Sequence, residues 1–176
     1  MTSLHPTLSP VRTRAASVAD ASLVHELYAA TPEYFDIISI PVPTVAEVST
    51  DLATAGADPR RFVELVLLEP EAAGPGCDLD PHTGAAVVGY LDYKLDYPAE
   101  GDATVNLLLV RAGLQSRGVG SACVRDLEGR LRGRSARLLA SIYGENPRAR
   151  RFWEGLGYRF AIDARPLLEW FAKSLA

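Results

Sequence analysis

Apolar residues recur along this chain in two rhythms, every third or fourth position and every second, and the switches between them predict interleaved helices and strands. Val11–Ala15 predicts a short strand. Ser17 followed by Asp20 reads as a capping box, and Leu23, Val24, Leu27 and Tyr28 form an apolar stripe behind it. Thr44 with Glu47 opens a second helix, in which Val45, Val48 and Leu52 share a face and Gly56 supplies the stop. The intervening segment, Thr31–Pro43, is punctuated by prolines and predicts a loop, though one more apolar than a solvated connection needs. Arg61–Leu68 and Ala85–Leu95, rich in valine, leucine and aromatic residues, predict strands. The long acidic connection between them, Glu69–Gly84, reads as a mobile surface loop. Its Asp78, Asp80 and His82 alternate like the start of a calcium loop, but Thr83 and Gly89 stand where glycine and glutamate are required.

Thr104–Val110 is almost continuously apolar, as expected of a strand buried on both faces. The helix after it places Ala122, Cys123, Leu127 and Leu131 on one side. Asp126–Arg130 and Glu128–Arg132 pair on the other, and Gly133 ends it. Ala136–Tyr143 predicts another strand. Asn146 caps a last helix, with Pro147 at its first position and Ala149, Phe152, Trp153 and Leu156 as its buried face up to Gly157. Tyr158–Ile162 and Leu167–Lys173 predict closing strands. The alternation fits a mixed α/β sheet in one domain over residues 11–176, preceded by a flexible arm at 1–10.

Composition narrows the class. Of 176 residues 48% are hydrophobic and 23% charged, the balance of a soluble globular protein with a sizeable core. No apolar run approaches the roughly 20 residues that span a bilayer, and the N-terminus lacks a secretory signal, so a cytoplasmic location is expected. Cys77 and Cys123 do not make a disulfide framework, and Cys123 falls on the apolar face of its helix, as a small buried hydrophobe would. The net charge of −4 hides an asymmetry. Residues 111–159 hold eleven arginines against four acidic residues, a surplus of seven positive charges, leaving −11 on the rest. One region is therefore suited to an anion. The acidic total, and the lack of aromatics interleaved with most of these arginines, argue against a nucleic-acid partner.

The candidate chemistry centres on Leu107–Ser121, LLLVRAGLQSRGVGS, a strand feeding a glycine-rich turn and a helix. Gly118 and Gly120 admit the close approach of a bulky anion, and the helix N-terminus presents unpaired N–H groups to it. Neither the dinucleotide G-x-G-x-x-G spacing nor the Gly-Lys-Ser/Thr of a P-loop is present.

Taken together, Gln115-x-x-Gly118-x-Gly120, the following helix and strand, and Asn146-x-x-Ala149-x-x-Phe152-Trp153-x-x-Leu156-Gly157-Tyr158 resemble the GCN5-related N-acetyltransferase (GNAT) superfamily. The resemblance implies a mixed, mostly antiparallel sheet of six to seven strands with about four helices, splayed at the strand pair that holds coenzyme A. It implies acetyl-CoA as co-substrate without a metal, an amine of a small molecule or peptide as acceptor, and direct attack in a ternary complex. The backbone of Leu109 and Val110 is then expected to hold the pantetheine arm. Gln115, Ser116, Arg117, Gly118, Val119, Gly120 and Ser121 are expected at the pyrophosphate, and Asn146 and Trp153 along the arm. Trp153 stands where many members carry a tyrosine that protonates the leaving thiolate, and an indole is no acid. Thr104 and Asn106 stand where some members carry an acidic residue. Tyr143 and Tyr158 remain as candidate acids and Asp92 as a candidate base, although the alternation of Tyr90, Asp92 and Lys94 suggests a solvent-facing strand side. Glu33, Asp36, Asp92, Asp96 and Glu100 point to a cationic acceptor. Family habit adds a homodimer as an expectation, and a non-catalytic coenzyme A sensor is the alternative function.

Overall fold

The computed structural model describes residues 10–164 and 168–176. Most of the expected N-terminal arm, and Leu167 of the last expected strand, lie outside the described residues. Seven strands form one sheet in the order β1-β2-β3-β4-β5-β7-β6, where β1 is Arg12–Ala15, β2 Arg61–Leu68, β3 Ala86–Leu95, β4 Asp102–Val110, β5 Arg137–Tyr143, β6 Arg159–Ala164 and β7 Leu168–Ser174. Every neighbouring pair is antiparallel except β4 and β5, which run parallel. The helices are α1 (Ala21–Ala29), α2 (Pro32–Ile37), α3 (Val45–Ala57), α4 (Pro70–Ala73), α5 (Val119–Leu131) and α6 (Pro147–Gly155). None is long and apolar enough to cross a membrane.

The strand alternation supplies a core on each face of the sheet. Val24, Leu27, Phe35, Val48 and Leu52 of α1–α3 close over Val63, Leu65, Tyr90 and Leu109. Cys123, Leu127 and Leu131 of α5, with Trp153 of α6, close over Val66, Leu91, Val105, Leu138 and Ala140. Cys123 is fully buried, and desolvation pushes its thiol up to about 12, which removes it from nucleophilic chemistry.

Four expectations are corrected by tertiary packing. The Thr31–Pro43 segment is not all loop: Pro32 starts a helical turn whose Phe35 fills the α1–α3 core. Val45, the first residue of α3, stays exposed, and Ala55 takes its place on the buried stripe beside Val48 and Leu52. Glu128 does not pair with Arg132, because its carboxylate is buried and accepts from Tyr158 Oη at 3.1 Å and Lys173 Nζ at 2.9 Å. The Glu69–Gly84 connection is anchored rather than loose. Asp80 is fully buried and accepts from Arg14 Nε at 3.0 Å and Nη2 at 2.5 Å and from the Thr83 hydroxyl at 2.6 Å. Asp20, Asp80 and His82 bring ligand atoms within 4.8 Å of one another, but Arg14 also donates to Asp20, so a guanidinium already bridges the two carboxylates and offsets one of their two charges.

Candidate active site

Two local irregularities open the sheet. The β4–β5 ladder ends at the Val105–Ala140 pair, although β4 runs on to Val110 and β5 to Tyr143, so the two strands diverge. Across β3, Asp92 lies opposite Leu107 and Tyr93 opposite Val105, which leaves Asn106 as an extra, bulged residue in β4. Beyond the bulge, the Arg111 N–H donates to Val88 O at 2.9 Å. Antiparallel alternation then turns the peptide groups of Leu109 toward β3 and those of Leu108 and Val110 into the opening. Leu109 still lines the cleft, but the main-chain groups available to a ligand there belong to Leu108 and Val110. A carbon added at Gly89 would sit 2.5 Å from Leu109 O, so glycine at this position lets β3 lie flush behind the strand.

The cleft between the diverging strands has a volume of about 710 Å3 and is lined along β4 from Val105 to Val110, along β5 by Ser141–Tyr143, and by residues of α2, α5 and α6. At one end lies the glycine turn. Gly118 caps α5 with φ of 85°, a conformation costly for any residue with a side chain. The first intrahelical bond here is Ala122 N–H to Gly118 O at 2.9 Å, so the N–H groups of Val119, Gly120 and Ser121 precede the ladder and are free for an anion. A carbon on Gly120 would press on the Phe152 ring at 3.3 Å. Gln115 ties the turn to the strand, its Nε2 donating to Val110 O at 2.8 Å.

Of the residues expected at the cofactor, Leu109, Val110, Gln115, Ser116, Gly118, Gly120, Ser121, Asn146 and Trp153 all line this one cleft. Arg117 is exposed and does not, and the Val119 side chain is buried in the core, which leaves its backbone as its only offering. Asn146 Oδ1 accepts from Ala149 N–H at 2.9 Å as the cap of α6, so the side-chain amide N–H groups are what it has left for a ligand. Trp153 is wedged between Phe152 and Tyr158, at ring separations of 5.1 and 4.8 Å. Arg148, which faces Glu33 at 3.9 Å, and Arg151 of α6 also line the cleft, while Arg130, Arg137 and Arg150 are paired with Glu64, Asp102 and Glu169 elsewhere.

A second hollow of about 370 Å3 lies on the α1–α3 side, lined by Tyr28, Tyr34, Ile38, Asp51, Arg61, Asp92, Asn106, Leu107 and Tyr143. Tyr34, Asn106, Leu107 and Tyr143 line both hollows, so the site runs through the sheet at the bulge. Desolvation raises the Tyr143 phenol above its ordinary value and keeps it protonated at neutral pH. Tyr158, by contrast, is fully buried, lines neither hollow and donates to Glu128. Asp92 is not on a solvent face. It is buried beneath α1–α3 and accepts from Arg61 Nη2 at 2.6 Å and Asn106 Nδ2 at 3.1 Å, so its oxygens are already committed. Thr104 is fully buried and donates to Tyr97 O at 2.5 Å. Of the other acidic residues expected at the acceptor, Glu33 lines the cleft, whereas Asp36, Asp96 and Glu100 line neither hollow. Sequence reasoning missed Leu108, Asp51 and Arg61. Leu108 depends on the bulge, and the two charged residues meet Asp92 only through tertiary folding.

The Acetyltransferase (GNAT) family profile matches residues 47–158. An acetyltransferase of known crystal structure from Thermus thermophilus is similar at 35% identity, with a TM-score of 0.83 over 95% of this chain and 98% of that one. The aminoglycoside acetyltransferase AAC(6')-Ib in complex with coenzyme A shares the fold at 16% identity and a TM-score of 0.70, over 93% and 94% of the two chains. The same enzyme with ribostamycin and coenzyme A gives 16% and 0.72, over 94% of each. No curated protein sequence matches.

Proposed function

The chain belongs to the acetyltransferase (GNAT) family, and from that premise we propose that it transfers an acyl group, most simply acetyl, from coenzyme A to the amine of a small molecule. The observation that carries this reading is the through-sheet site: an anion cradle at one end, an opened strand edge in the middle and a separate polar hollow at the other end. The cofactor fits the residues present. Val119, Gly120 and Ser121 offer three free N–H groups where a pyrophosphate would lie, and Leu108 and Val110 offer a strand edge to the amide-bearing pantetheine arm. When bound, acetyl-CoA supplies an activated acyl group and a thiolate leaving group.

The residues then divide the work. A β4 N–H at the bulge polarises the thioester carbonyl, as a fixed donor aimed at developing negative charge. Tyr143, where the two hollows meet, takes the part of proton donor to the departing thiolate that Trp153 cannot fill. Asp92 holds Arg61 and Asn106 in place and does not act as base. The acceptor loses its proton to water, so turnover rises with pH as the neutral amine fraction grows.

The second reading, a coenzyme A sensor without turnover, is favoured by Trp153 at the tyrosine position and by the committed oxygens of Asp92. Thiol release from acetyl-CoA, measured against a broad amine panel, separates the two. Turnover of any amine establishes the transferase, and tight binding without turnover of any amine establishes the sensor.

A further inference from the structure

The acceptor hollow carries a charge arrangement that restricts its substrate, an inference that rests on the acyl-transfer reading above. Arg61 of β2 is held between two carboxylates. Its Nη1 and Nη2 donate to Asp51 Oδ1 and Oδ2 of α3 at 2.9 and 2.8 Å, and its Nε and Nη2 donate to Asp92 Oδ2 of β3 at 3.2 and 2.6 Å. Burial alone would depress the guanidinium, but its hydrogen bonds to Asp92 and Asp51 outweigh that and raise it, so Arg61 stays charged. The remaining lining groups are neutral: Asn106, and the phenols of Tyr28, Tyr34 and Tyr143, each raised chiefly by burial. One negative charge is therefore left over.

That surplus is accessible on one side only. The Asp92 side chain is 6% exposed, whereas the Asp51 side chain is 47% exposed and is held by the Arg61 fork. Behind the hollow, Tyr90 lies edge-on to Tyr28 at 5.8 Å, and its fully buried hydroxyl is the one such side-chain atom without a hydrogen-bond partner among the described residues.

A net negative hollow is a poor place to make an amine nucleophilic. Each unit by which a nearby carboxylate raises the amine's pKa cuts its neutral, attacking fraction about tenfold. The charge helps the reaction only if a different, non-reacting positive group of the same molecule takes it. Three tyrosines, Tyr28, Tyr34 and Tyr143, line the hollow, and aromatic rings suit such a group through cation–π contact. The volume, about 370 Å3, lies at the lower end of the roughly 300–1,000 Å3 of small-molecule sites.

We propose that the acceptor is a small primary amine bearing a second, permanently positive group, which Asp51 and the surrounding tyrosines hold while the reacting nitrogen lies at Asn106 and Tyr143. The matched probes are 3-aminopropyl-trimethylammonium and its uncharged carbon isostere 4,4-dimethylpentylamine. Thiol release from acetyl-CoA is followed at pH values giving each amine the same neutral fraction. The wild-type protein is expected to favour the cationic probe by about tenfold or more in kcat/KM, expressed mainly in KM, and the preference is expected to shrink with added salt. Asp51→Asn is expected to lose the preference while binding acetyl-CoA with unchanged affinity, which also reports that the variant is folded. Equal or better turnover of the isostere by the wild-type protein overturns the proposal and leaves the transferase reading standing, as does a preference that survives Asp51→Asn. Absence of turnover with every amine, while acetyl-CoA binds, instead overturns the transferase reading and this proposal with it.

Discussion

Replacing Gly89 with alanine puts one methyl group against the back of the strand assigned to the cofactor. The added carbon would lie 2.5 Å from Leu109 O and 3.2–3.3 Å from Val66 Cβ and Cγ2. An ordinary carbon–oxygen contact is about 3.3–3.6 Å, so β3 and β4 must separate locally by about 0.8 Å or more. Overpacking of this kind costs about 1–3 kcal/mol. For a domain of this size each kcal/mol lowers Tm by about 2–4 °C, giving a fall of about 2–12 °C. The same displacement moves the outward peptide groups of Leu108 and Val110. If each hydrogen bond to the pantetheine arm is worth about 0.5–1.5 kcal/mol, losing both weakens coenzyme A by about 5–150-fold. Thermal unfolding and calorimetric titration with acetyl-CoA read the two effects. Gly129→Ala is the control, since nothing lies within 4 Å of its added carbon and α5 gains helix propensity. A Gly89→Ala protein with wild-type Tm and wild-type affinity would refute the account of β4 as the cofactor edge.

Other outcomes follow from the same structure. Tyr143→Phe is expected to lower kcat by about 10²-fold or more with little change in acetyl-CoA affinity, whereas Tyr158→Phe is expected to cost stability, about 1–2 kcal/mol through the lost buried hydrogen bond to Glu128, which keeps Lys173, and leave kcat alone. Steady-state kinetics beside urea unfolding separates the two tyrosines. The Asp80 carboxyl is held well below the usual range, foremost by its hydrogen bonds from Arg14, against the opposing cost of burial. Because its folded value is depressed, that stabilisation is complete above the unfolded carboxylate value of about 4. It is lost as pH falls toward the folded value. Urea unfolding between pH 5 and pH 2 should show a shallower acid decline in Asp80→Asn than in the wild type. Native labelling with a thiol reagent should modify the partly exposed Cys77 and spare Cys123 until the protein unfolds.

The readable parts of this protein are those whose chemistry is local. The Gly118–Gly120 turn, the Asn146 cap and the aromatic face of α6 lie within short stretches of chain, and all of them meet in one cleft. The sequence pairs Leu109 with Val110 at the pantetheine arm because a strand read in isolation has no register; the bulge at Asn106 and the Arg111–Val88 bond decide that Leu108 and Val110 face outward. Asp92 read as a surface residue because Tyr90 and Lys94 share its alternation. Its burial comes from α1–α3 closing over that face, and its partner Arg61 is 31 positions away. The hollow proposed for the acceptor draws on seven separate elements and the chain after α2, none with a signature of its own, so its shape emerges only with the packing.

We propose that coenzyme A occupies the opening between β4 and β5 with its phosphates on the N-terminus of α5. Titration of coenzyme A into isotope-labelled protein, followed at the backbone amides, tests this residue by residue. Saturable shifts are expected, concentrated at Leu108, Val110, Val119, Gly120 and Ser121 and attenuated in Gly120→Ala. Saturable binding that leaves these amides unmoved and perturbs another face of the sheet would contradict it.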